Sequence, residues 1–167
     1  VDLLGPAMKV QEELMGIPSF DTPDYAELFA EEKEMIAKLK KAFLMVAGGA
    51  VQKFGPDLDS HQQLLMAAAD MLIEIYMAES CILRTEKLAK KEGEAKVQEQ
   101  IAMAKLYLYK AVDVVTQKGK ESVISFAEGD EQRMMLMGIK RFTKVAPLNV
   151  KESRRTIAAK LISENKY

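Results

Sequence analysis

Between Leu64 and Leu83 only Asp70, Glu74, Glu79 and Ser80 interrupt a run of apolar side chains, LLMAAADMLIEIYMAESCIL. At 100° per residue such a run is apolar on almost every face of a helix, so the wider stretch from Ser60 to about Glu92 predicts a central helix covered on most sides by others. The three acidic residues also separate it from a bilayer-spanning segment, which needs ~20 apolar residues with few or no charges. A chain of 167 residues is long enough to supply the covering helices as one domain. Its 9 Gly, 5 Pro and 11 Met, with 49% hydrophobic and 29% charged residues, favour helices over strands or disorder. The expected fold is all-α, an up-and-down bundle of four to six helices around a central apolar helix.

Three regions are expected: a connecting segment with a short helix (1–23), the bundle core (24–147) and a C-terminal helix packing on the bundle (148–167). In the first, Ala7–Met15 reads as a short amphipathic helix closed by Gly16. Asp21 or Thr22, followed by Pro23, predicts the cap of a long helix running from Asp24 to Lys53. Leu28, Met35, Ile36, Leu39, Phe43, Val46, Ala50 and Phe54 form its stripe. The Gly48-Gly49 pair costs about 1 kcal/mol per glycine relative to alanine, which close contact with a neighbouring helix would offset. Asp59 or Ser60 is the expected cap of the central helix and Gly93 its stop. A fourth helix is expected over Glu94–Lys118, a short one over Glu121–Ala127, and a last core helix from Asp130 toward Pro147. Asn149 with Glu152 has capping-box spacing before a final helix, Val150–Ser163.

Charge and chemistry narrow the function. A net charge of −1 argues against a nucleic-acid surface. The single cysteine, Cys81, excludes an internal disulfide framework and fits a reducing, cytoplasmic setting. His61 is the only histidine, so a Ser-His-Asp triad would have to use it, and a carboxylate-bridged di-metal bundle lacks its paired Glu-x-x-His spacing. Asp70 and Glu74, one turn apart, would need a cleft and shifted pKa values to act as an acid/base pair. Pairing with basic groups is the commoner fate of such residues. Met134, Met135 and Met137 form a candidate interface, since thioethers adapt to many partner shapes. No Gly-rich phosphate loop, Walker sequence or Cys-x-x-Cys occurs, and no residue is assigned to catalysis, cofactor or metal. The first residues lack the layout of a signal peptide, and the start at Val1 without an initiator Met predicts a piece of a longer chain.

From Lys41 through Leu88, and above all in Leu64–Tyr76, the chain resembles the C-terminal helical extension of very-long-chain-type acyl-CoA dehydrogenases. The resemblance is carried by FGPDLDSHQQLLMAAAD, by Asp70 and Glu74 bracketing apolar residues, by Tyr76 and Arg84, and by the opening LLGPAMKVQEELMG. Asp70, Glu74, Tyr76 and Arg84 are the candidate polar network. The resemblance implies a non-catalytic domain packed on the catalytic core of the same chain, in a homo-oligomer such as a dimer. It implies FAD in the parent protein and none in this fragment, with dehydrogenation of fatty acyl thioesters in β-oxidation and electron transfer to an electron-transfer flavoprotein. In that family the extension covers the core where shorter members use a second dimer, and parts of it are linked to peripheral membrane attachment. The contrasting expectation is a freestanding helical adaptor that binds a partner helix or a membrane surface.

Overall fold

The structure is a computed structural model, described over residues 3–16 and 27–165. Those residues form helices and no strands: α1 (Leu4–Met15), α2 (Ala30–Phe54), α3 (Gln62–Glu92), α4 (Gln98–Phe126), α5 (Gly129–Phe142) and α6 (Val150–Glu164). Short 3₁₀ segments, Gly55–Ser60 and Glu94–Lys96, join α2 to α3 and α3 to α4. The expected all-α bundle is the observed one.

The helix in its middle is α2, not the apolar stretch of α3. Met45, Val46, Ala47, Gly48, Gly49 and Ala50 are buried in succession, and at 100° per residue that enclosure reaches every side of the helix. Helices α1, α3, α4 and α5 all pack on α2, while α4 in turn touches α3, α5 and α6. Helix α3 buries only one stripe, Leu64, Met71, Ile75, Ala78, Ile82, Thr85 and Ala89. Its other side leaves Met66 65%, Ile73 57% and Tyr76 67% exposed. A helix apolar all round is thus covered on one side only among the described residues.

The glycine pair is explained by contact. A Cβ on Gly48 would lie 2.2 Å from the Ala7 Cβ of α1, and one on Gly49 would lie 2.9 Å from Met135 Cε. The backbone of α2 therefore approaches α1 at Gly48 more closely than a side chain permits, while Gly49 makes room for the side chains of Met135 and Phe126.

Several boundaries differ from expectation. The long helix starts at Ala30, and its expected caps Asp21, Thr22 and Pro23 lie outside the described residues. Phe29 precedes it with φ 64°, a left-handed conformation costing roughly 1–3 kcal/mol for such a residue. Its ring is 2% exposed, and burial of about 1.5–3 kcal/mol offsets the strain. Neither Asp59 nor Ser60 caps α3. Both belong to the 3₁₀ segment, where Ser60 Oγ donates to the Asp57 carbonyl at 2.7 Å and the Asp59 carbonyl accepts from Gln62 Nε2 at 2.7 Å. Helix α4 does not stop at Gly119 but continues to Phe126, absorbing the expected short helix. Gly119 is a packing glycine, since its Cβ would meet Ile139 Cδ1 at 2.7 Å. Helix α5 ends at Phe142, short of Pro147.

Asn149 caps α6 as expected, its Oδ1 accepting from the Glu152 N–H at 3.2 Å. None of the residues of α6 is buried, so little packing compensates for losing that cap. Asn149→Ala is expected to weaken α6 by about 1 kcal/mol, read as faster amide exchange confined to its first turns.

Candidate functional site

The acidic residues that interrupt the apolar stretch of α3, Asp70, Glu74 and Glu79, are directed to its flanks. Asp70 pairs with Lys118 of α4 at 2.9 Å, and Glu79 pairs with Lys40 of α2 at 2.6 Å. Glu74 acts on the Tyr107 hydroxyl of α4, its carboxylate helping to keep that phenol protonated. Farther along, Glu86 binds both Lys33 of α2 at 2.9 Å and Lys90 at 3.0 Å. Helix α2 is also tied to α4 by Glu32–Lys105 at 3.0 Å and to α1 by Glu13–Lys41 at 2.7 Å. Each such exposed pair contributes at most about 1 kcal/mol, so together they set the register of neighbouring helices more than they stabilise them.

The electrostatic consequences have definite signs. The hydrogen bond from Lys33, then that from Lys90, holds the Glu86 carboxyl below its ordinary 4.5. Its contribution to stability is present above that value and is lost as pH falls through the lower folded-state value. Burial, reinforced by the Glu74 carboxylate, pushes the Tyr107 phenol from 10.0 up to about 12. That contribution is complete below pH 10 and disappears as pH rises to about 12, because the unfolded chain loses the proton first. The phenolate absorbance of Tyr107, isolated by difference against Tyr107→Phe, should appear near pH 12. A midpoint near 10 would refute the burial of the phenol beside Glu74.

The candidate polar network is divided by this geometry. Asp70 and Glu74 face α4 through two different partners, whereas Tyr76 and Arg84 are on the exposed side of α3. Lys118 and Tyr107, the partners that matter, were not singled out from the sequence, which carries no local signal joining positions on separate helices. The three methionines also separate. Met135 is fully buried, Met134 is half-buried and Met137 is 65% exposed, so they do not form one interface. The imidazole of His61 stacks on Phe54 with ring centroids 3.6 Å apart, and Cys81 is half-buried among core residues.

Among the described residues no group of three or more His, Cys, Asp or Glu side chains is placed to hold a metal ion. No described helix is long and apolar enough to cross a membrane. A cleft of about 220 Å³ lies between α2, α4 and the segment 144–148, walled by Glu31, Glu32, Lys38, Lys105 and Tyr109. Of its charged walls, Lys105 and Lys38 are paired with Glu32 and Glu34, and the rest of the lining includes the apolar Met35, Leu108 and Leu148.

Comparison with known proteins identifies this arrangement. Residues 38–141, from within α2 to the end of α5, match the family model described as acyl-CoA dehydrogenase, C-terminal domain. A probable acyl-CoA dehydrogenase of Bacillus subtilis is 34% identical over 165 residues, 99% of this chain and 27% of that protein. A crystal structure of an acyl-CoA dehydrogenase complexed with FAD from Bacillus anthracis superposes with a TM-score of 0.89 at 37% identity, again over 99% of this chain and 27% of its own. The chain thus spans about a quarter of the length of both relatives, and it belongs to the acyl-CoA dehydrogenase C-terminal domain family.

Proposed function

We propose that this chain is the non-catalytic helical end of a longer FAD-dependent acyl-CoA dehydrogenase of the very-long-chain type, packed on the catalytic core of the same polypeptide. The observation that carries this reading is the match over 99% of this chain to only 27% of two acyl-CoA dehydrogenases. The parent removes hydrogens from the α and β carbons of a fatty acyl thioester in β-oxidation and passes the electrons to an electron-transfer flavoprotein. Flavin and proton-abstracting base belong to the rest of the parent, and this chain contributes rigidity, burial of core surface and support for a homo-oligomer. A cytoplasmic enzyme, peripheral to the membrane at most, is the setting that fits one unpaired cysteine.

The parent protein should purify with bound flavin and reduce a dye acceptor when given long-chain acyl-CoA, faster than with short-chain acyl-CoA. A parent without flavin, or one inert toward every acyl-CoA, would defeat the reading. Equal rates across chain lengths would defeat only the very-long-chain assignment. The freestanding adaptor is not favoured, because Met135, the centre of its proposed surface, lies in the core.

A further inference from the structure

We propose that the outer face of α3, from Met66 to Leu83, is a helix-packing seam that receives an apolar helix from the remainder of the parent chain. The inference rests on the reading that a longer dehydrogenase surrounds this segment, and it adds which surface makes the contact and with what.

Met66, Ala69, Ile73, Tyr76, Ser80 and Leu83 follow each other at spacings of three and four residues, the pattern of a stripe that packs against one neighbouring helix. This seam lies opposite the buried stripe of Leu64, Met71, Ile75, Ala78 and Ile82. Met66, Ile73, Tyr76 and Leu83 are all more than half exposed. The charges of the stretch are removed from it: Asp70 is held by Lys118 and Glu79 by Lys40, each on a flanking helix, and Glu74 is half-buried on the side of α4. The result is an uncharged strip about 25 Å long, at ~1.5 Å per residue.

The size of the strip favours a tethered occupant over a second copy. Six large side chains of α3, with Leu72 and Met77 included, expose roughly 100 Å² each, about 600 Å² in all. That is below the ~800 Å² per partner of a standard complex between separate chains, and in the range of interfaces between domains of one chain. A covalent link supplies the missing association through effective concentration. About three-quarters of the length of each relative lies outside this chain and is available to provide the helix.

The test uses the full-length parent with the photo-crosslinking residue benzoylphenylalanine in place of Tyr76, and a control with it at the exposed Lys110. On irradiation the Tyr76 probe should capture an apolar helical peptide preceding this segment, in a product of monomer mass, while the Lys110 probe should not. Capture of a second copy at twice the monomer mass, capture of lipid, or a yield no higher than the control would overturn the inference. A parallel Ile73→Glu/Tyr76→Glu variant should release this segment to limited proteolysis about tenfold faster while keeping its helical circular dichroism. An unchanged cleavage rate also counts against it. The flavin spectrum of the same preparations separates the two claims: a flavin-bearing parent without the crosslink loses only the seam, whereas a flavin-free parent loses the dehydrogenase reading.

Discussion

Ile75→Ala should lower the unfolding free energy by about 2–4 kcal/mol, whereas Ile73→Ala, two residues away on the same helix, should change it by less than about 0.5 kcal/mol in the 167-residue chain. The two side chains are identical and their helical context is shared. What differs is that Ile75 is 1% exposed, packed in the stripe against α2 and α4, and Ile73 is 57% exposed. Truncating the first leaves a cavity among side chains that cannot all relax, while truncating the second removes surface that water already touches. Urea unfolding of both variants decides the point. Similar losses would mean that α3 is enclosed, as its composition suggests and its packing denies.

The second large effect is expected at Gly48. A valine there would place its Cβ 2.2 Å from the Cβ of Ala7, an atom fixed to the backbone of α1 that cannot rotate away. Helix α1 must then move as a body, giving up the burial of Ala7 and Val10 and the Glu13–Lys41 pair. Overpacking of this kind costs about 1–3 kcal/mol, and Gly48→Val should be near the upper limit. Alanine meets the same clash but recovers about 1 kcal/mol of helix propensity, so Gly48→Ala should lose roughly half as much. Thermal unfolding midpoints should fall by about 6–12 °C for valine and by less for alanine. An unchanged midpoint for valine would show that α1 is not seated on α2.

These two cases show how the legible part of the sequence divides from the rest. The Gly48-Gly49 pair was readable as a close helix contact because an unfavourable residue in a helix interior needs compensation, but nothing local named Ala7 and Met135 as the atoms met. Gly119 lies between the helix expected over Glu94–Lys118 and the short one expected over Glu121–Ala127. It proved to be a contact because Ile139, on another helix, occupies the space where a side chain would stand. Asn149 and Glu152 were read correctly since a cap is decided within a few residues. Asp70 and Glu74 were recognisable as residues needing partners, but Lys118 and Tyr107 became those partners only when α4 was laid against α3.

By itself the sequence determined that this chain is helical, roughly where its helices run, and that its acidic interruptions in α3 must be neutralised, because periodicity, capping and desolvation all act within a few turns. Tertiary structure alone decided that α2 rather than α3 is enclosed, and which of two apolar faces of α3 turns inward. Both faces have the same hydrophobic driving force, so the choice lies with the helices that happen to be available to cover them, and the described residues supply cover for one.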